Sequence, residues 1–259
     1  MWGILTAGVV VTAAAMLIVG AGRVESAPAK VPNPNDYGSI VLNKKTADAG
    51  MAGVVFPHWW HRSQFTCKVC HTDIGFPMKA GETDFVMAEI FAGNQCGKCH
   101  NGTIAFSPMD DCTRCHSQGT VVPQNRKIET ALAGAPSDPF GNRIDWVKAL
   151  DQKKVTPKPS LDGSGEMMVV DMDIEIPVTK FTPHPPNVIY PHKAHTEWLD
   201  CSSCHTSIFN MQKGGNPDMS MMKIAAGQYC GVCHGKVAFP LEDCFRCHSK
   251  DVPLPAQWK

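Results

Sequence analysis

Cys67-Lys68-Val69-Cys70-His71 is the stretch on which the reading of this chain turns, because its pattern recurs five more times. The copies run from Cys96 to His100, Cys112 to His116, Cys201 to His205, Cys230 to His234 and Cys244 to His248, and together they use all twelve cysteines. A C-x-x-C-H run is the attachment signature of a c-type haem. Two thiols add across the two vinyl groups of one porphyrin, and the adjacent histidine is held under the iron as its proximal ligand. The six motifs therefore predict six covalently bound haem c groups, held by Cys67, Cys70, Cys96, Cys99, Cys112, Cys115, Cys201, Cys204, Cys230, Cys233, Cys244 and Cys247. Their iron ligands would be His71, His100, His116, His205, His234 and His248. Six disulfides or structural zinc would also use paired cysteines. Neither explains a histidine after every second cysteine.

The composition fits a chain organised around cofactors. With 22 glycines and 20 prolines among 259 residues, loops should predominate, and the porphyrins must supply much of the buried apolar surface. The chain without haem should be largely unfolded. There are 24 basic and 24 acidic side chains, a balance that offers no basic surface for a nucleic acid.

Covalent haem attachment takes place outside the cytoplasm, so export is expected, and the periplasmic side of the cytoplasmic membrane is the expected location. Met1 to Gly22 carries no charged side chain and is long enough for one membrane-spanning helix. Ala27-Pro28-Ala29 offers a signal-peptidase site, so residues 1–22 read as a membrane anchor or as a signal peptide. Residues 23–54, with Pro32-Asn33-Pro34-Asn35, read as a tether.

Two haem blocks follow, over residues 55–122 and 183–250, separated by an insert at 123–182 and followed by a tail at 251–259. They are an internal repeat. Phe56-Pro57-His58-Trp59-Trp60-His61 matches Tyr190-Pro191-His192-Lys193-Ala194-His195, and the interval from Cys67 to Cys96 equals that from Cys201 to Cys230. Four histidines outside the motifs, His58, His61, His192 and His195, occupy equivalent places and are candidate distal iron ligands. A haem with two protein ligands is coordinatively saturated and suited to electron transfer. His184 has no repeat counterpart and is a further candidate.

The order aromatic-x-His-x-x-His followed by three C-x-x-C-H motifs resembles the cytochrome c7 type three-haem domain, a truncated relative of cytochrome c3. The likeness covers both blocks, about half the chain. It implies a multihaem cytochrome c, mostly irregular with short α-helices, built from two c7-like modules plus one N-terminal transmembrane helix. It also implies that His58 and His192 ligate the first haem of each block, and His61 and His195 the third.

The family places another histidine shortly before its middle motif, and none stands between His71 and Cys96 or between His205 and Cys230. Met87 and Met221, at equivalent positions, are candidate thioether ligands there. The alternative is that they pack against porphyrin, as Met78, Met211, Met219 and Met222 would. A middle haem left five-coordinate could support a reductase.

Within the insert, Gly141 to Leu150 suggests a short helix capped by Asp145 and ended by Pro157-Lys158-Pro159, and Val169 to Ile176 has partial strand alternation. The insert is expected to be a linker that covers haem edges, or else a docking surface or clasp. As a whole, the anchored tandem layout is similar to the hexahaem cytochrome subunit of bacterial menaquinone (quinone) reductase complexes, akin to that of alternative complex III. That resemblance implies a soluble periplasmic cytochrome c as electron donor, with iron–sulfur and quinone-binding subunits as partners. A soluble or extracellular multihaem conductor is the other arrangement that this layout permits.

Overall fold

Each haem block begins with a two-stranded antiparallel hairpin. In the computed structural model, which describes residues 33–120, 126–178 and 185–251, β1 (Ser39–Leu42) pairs with β2 (Val54–Pro57), and β3 (Asp173–Ile176) with β4 (Val188–Pro191). The registers are the same, with Ser39 opposite Pro57 and Asp173 opposite Pro191. β3 falls where the alternation suggested a strand. β1 lies inside the stretch read as a tether, at the offset that carries Cys67 onto Cys201. The anchor segment 1–22, the Ala27–Ala29 site, His184 and residues 252–259 lie outside the described residues. Among the described residues no helix is long and apolar enough to cross a membrane.

Proline ends the inner strand of both hairpins and caps the helix that follows. Pro57 and Pro191 sit at φ −85°, with ψ 103° and 109°, immediately before α1 (His58–Arg62) and α5 (His192–Thr196). The pyrrolidine ring presets φ and lacks an N–H, which suits it to a strand end and to the entry of a helix. Helices of one turn and a little more do not hold themselves in water. These two are held by the hairpins and by ring contacts.

Two further helices approach the middle motifs. α2 (Met87–Phe91) and α6 (Met221–Ala225) each end in a glycine at φ +85°, Gly93 and Gly227, and the chain then enters 3-10 turns over Gln95–Lys98 and Tyr229–Val232. Between the two cysteines of each middle motif stands a glycine, Gly97 or Gly231, whose Cα lies so close to the carbonyl of Ile90 or Ile224 that no Cβ fits. The insert supplies α3 (Ile128–Ala131) and α4 (Trp146–Asp151), the latter capped by Asp145, whose carboxylate accepts from Lys148 N at 3.0 Å. α7 (Cys244–Cys247) carries the last motif.

The insert does more than cover edges. Its Ala149 and Val155 form a buried cluster with Trp198 of the second block, flanked by Cys67 of the first. Lys158 exchanges backbone hydrogen bonds with the first block, donating to Gln64 O (2.8 Å) and accepting from Thr66 N (3.0 Å). Arg246, between the last two cysteines, pairs with buried Asp138 of the insert (2.7 Å) and with Asp243 (2.5 Å). The insert is a clasp between modules.

Among the described residues the buried apolar side chains are only Trp59, Val69, Ile128, Ala149, Val155 and Trp198, whereas Met87, Phe91, Met109, Met211 and Met222 stand exposed. So small a buried set leaves much apolar surface for other groups to cover.

Candidate haem-binding sites

One aromatic ring organises each pair of distal histidines. Phe56 stacks on His61 at 4.2 Å between centroids and meets His58 edge-on at 4.8 Å. Tyr190 repeats this with His195 at 4.4 Å and His192 at 4.9 Å. The aromatic residue at the head of the aromatic-x-His-x-x-His run thus braces both imidazoles.

Each of the ten described histidines points Nδ1 at a backbone carbonyl. His58 donates to Gly38 O (2.7 Å), His192 to Met172 O (3.2 Å), His61 to Pro57 O (3.0 Å) and His195 to Pro191 O (2.8 Å). His71 donates to Phe76 O (2.8 Å), His100 to Phe106 O (3.2 Å), His205 to Phe209 O (3.0 Å) and His234 to Phe239 O (3.3 Å). His116 reaches Ala52 O and His248 reaches Pro186 O, both at 2.8 Å. A carbonyl can only accept, so Nδ1 carries the proton and Nε2 keeps its lone pair for a metal.

Three pairs of these rings face one another at the right span. Metal–imidazole bonds of about 2 Å on opposite sides of one ion put ring centroids roughly 6 Å apart. His58 and His71 stand at 6.4 Å with planes 1° apart, His61 and His100 at 6.2 Å and 61°, and His195 and His234 at 6.1 Å and 63°. The residues therefore fit an iron between opposed imidazoles. Among the described residues no three His, Cys, Asp or Glu side chains converge as a metal cage, and none of the twelve cysteines forms a disulfide.

These pairs differ from one expectation. His61 and His195 face the middle-motif histidines, His100 and His234, rather than His116 and His248 of the third motif. The reason is the brace: stacking on Phe56 or Tyr190 turns the second imidazole of α1 or α5 toward the middle motif. An iron held between these rings at the middle motif would have no open position of the kind a reductase needs. Met87 and Met221, the candidates for that position, stand 41% and 45% exposed at the starts of α2 and α6. With His58, His61 and His195 opposite His71, His100 and His234, and His192 equivalent to His58, none of the described histidines remains for the third motifs. His184, the other candidate, lies outside the described residues.

The electrostatics match ligation. Burial lowers the His58, His61 and His234 pKa values to about 4, and lowers those of His71, His100 and His195 as well. These rings are neutral at physiological pH, the form that binds a metal.

Two features escaped the sequence reading. The carbonyls that orient four proximal histidines belong to Phe76, Phe106, Phe209 and Phe239, and the signal was a phenylalanine recurring a few residues after the first two motifs of each block. The other is Arg62, which ends α1 and has Thr196 as its repeat counterpart.

Comparison with known proteins identifies the two blocks. Residues 54–117 and 188–249 match the family described as cytochrome c7 and related cytochrome c. No curated protein matches the chain. Among solved structures, a c7-type three-heme cytochrome domain is 39% identical, covering 30% of this chain and 91% of its own, with a TM-score of 0.28. The C-terminal hexaheme fragment of GSU1996 is 28% identical over 82% of this chain and 96% of its own, with a TM-score of 0.28. Dodecaheme cytochrome c GSU1996 is 24% identical over 81% of this chain and 73% of its own, with a TM-score of 0.26.

Proposed function

We propose, from the premise that residues 54–117 and 188–249 are cytochrome c7-type domains of a multihaem electron-transfer cytochrome c, that this chain carries six haem c groups and relays electrons at a membrane. Its station would be the periplasmic side of the cytoplasmic membrane, between a soluble periplasmic cytochrome c and a quinone-linked complex with iron–sulfur and quinone-binding subunits. The observation that carries electron transfer, as against substrate chemistry, is the set of opposed imidazole pairs, His58 with His71, His61 with His100 and His195 with His234. The membrane station rests on the uncharged run from Met1 to Gly22 and on the tandem layout.

The haems would supply reversible one-electron chemistry, and the chain's own residues do the rest. Cysteine pairs fix each group covalently. Backbone carbonyls hold every described imidazole in the tautomer that ligates, and the Phe56 and Tyr190 braces keep distal rings in place between turnovers. For the third motif of each block, Met87 and Met221 are the proposed distal ligands, with His184 the alternative in the second block. A thioether opposite imidazole raises the potential relative to two imidazoles.

The test is extraction of native membranes with detergent, purification by haem absorbance, and mass spectrometry of the protein with everything that travels with it. Six haems, residues 1–22 intact, and co-purifying iron–sulfur and multi-span subunits are expected. A protein released by salt, trimmed near Ala29 and alone, would instead be a soluble conductor.

A further inference from the structure

Arg62 ends α1 one residue after a distal histidine, and its guanidinium lies over the faces of two tryptophans from elsewhere in the chain. One is Trp146 of the insert, at 4.2 Å from guanidinium carbon to ring centroid, and the other is Trp198 of the second block, at 4.7 Å. The two indoles meet edge to face at 6.3 Å. Around this cluster the blocks join directly. Lys68 N donates to Trp198 O at 3.1 Å, and Thr72 Oγ1 lies 3.2 Å from both Asp200 Oδ1 and Ser203 Oγ.

The charge is poorly compensated by protein. A guanidinium has five N–H donors, and the acceptor found for Arg62 among the described residues is Val237 O, at 3.4 Å. Its Nε is sealed from solvent with no hydrogen-bond partner there. Arg62 has no ion pair among the described residues, although Lys68 and Arg246 nearby in sequence or fold do. A shielded cation without a partner carboxylate is costly. Two motifs border it: Cys67 of the first packs on the cluster that contains Trp198, and Val237, whose carbonyl accepts from Arg62, donates its own N–H to Cys233 O of the fifth at 2.9 Å. Arg62 therefore stands where the first motif of one module meets the middle motif of the other.

We propose that Arg62 is a potential-setting positioning residue at the junction of the two modules. Its fixed positive charge holds the reduction potentials of the groups on Cys67/Cys70 and Cys230/Cys233 above those of their repeat counterparts, on Cys201/Cys204 and Cys96/Cys99. A nearby cation favours the reduced iron, which carries one positive charge fewer, and low-dielectric surroundings strengthen the effect. The duplication supplies an internal control. Each counterpart has the same residues for two-imidazole ligation, while the position of Arg62 is taken by Thr196, whose hydroxyl is occupied with His192 O at 2.9 Å. The inference rests on the six-haem reading.

The experiment compares the mature full chain with Arg62→Gln and Arg62→Lys, after a mass measurement of haem content, by redox titration followed haem by haem with NMR. Arg62→Gln is expected to lower the two junction potentials and leave the other four, while Arg62→Lys leaves all six. No shift at the junction pair, or one common shift of all six, overturns the proposal. Where Arg62→Gln does not mature, the unaltered protein decides: junction potentials equal to or below those of their counterparts overturn it. A mass short of six haems would instead strike the underlying reading, whatever Arg62 does.

Discussion

The imidazole planes of His58 and His71 are parallel to within 1°, whereas those of His61 and His100 cross at 61°. The relative orientation of two axial imidazoles sets how the iron d orbitals split, so parallel and crossed pairs differ in low-temperature EPR. Oxidised protein is expected to show two strongly anisotropic low-spin centres, from His61/His100 and from His195/His234, whose planes cross at 63°. Substituting His61→Ala should remove one of them and create a high-spin signal. If His116 were the true partner, the crossed signal of His100 would survive that substitution.

Phe56 touches both distal imidazoles of its block, at 4.8 and 4.2 Å. Aromatic pairs contribute about 0.5–1.5 kcal/mol each beyond area burial, so Phe56→Ala should cost about 2–3 kcal/mol in total. It should also raise high-spin content at two haems together. Phe56→Tyr should be nearly neutral, because Tyr190 fills the same role in the second block. Denaturant unfolding with the visible spectrum as probe measures both.

How much of this could be read from the chain itself varies with the range of the interaction. The motifs, the repeat and the paired histidines are local patterns, and the cysteine spacing is dictated by covalent chemistry. Asp145 as a helix cap was legible for the same reason: its carboxylate bonds Lys148 N, three residues on. The destination of His61 was not, because it depends on a ring orientation imposed by stacking on Phe56 after the chain has turned from strand to helix. β1 was missed since Ser39–Leu42 lacks alternation and gains its identity from Val54–Pro57 across a loop. The clasp was invisible because Val155 and Trp198 are distant in sequence and meet only in the fold.

Gly97 and Gly231 each sit against a backbone carbonyl, of Ile90 and Ile224, leaving no space for a Cβ. The obstruction is backbone, so it cannot be relieved by a rotamer change. Gly97→Ala must push α2 away from the middle motif, at a cost of about 1–3 kcal/mol or more, as overpacked sites show. Gly165, exposed with open space around it, adopts a positive φ and is not a clean control. Lys98→Ala, in the neighbouring motif position, should leave thermal stability within about 0.5 kcal/mol. Thermal unfolding of the three proteins separates packing from a general intolerance of the motif.

With His61 and His195 facing the middle-motif histidines, Met87 and Met221 are proposed for the third haems. As ligands of the third haems, they should place those haems at the top of the potential range. Met87→His should then lower one potential on the order of 0.1 V, within the roughly 0.8 V over which axial ligands set haem potentials. Met87→Ala should open that iron to carbon monoxide. Unchanged potentials and no new carbon monoxide spectrum in either variant would return Met87 to a packing role.

Haem attachment is expected to be a condition of folding. The described residues bury six apolar side chains, and only Ala149, Val155 and Trp198 form a buried cluster. Ordering the backbone costs roughly 1–2 kcal/mol per residue, which so small a core cannot offset. The helices are too short to persist alone, and the histidine braces have nothing to hold against without a metal between the rings. A chain made without haem attachment should therefore give a coil-like far-UV circular dichroism spectrum and no cooperative thermal transition, while the mature protein unfolds cooperatively. A sharp transition in the haem-free chain would mean that the insert and its tryptophans supply a self-sufficient core, and that the haems are added to a fold that already exists.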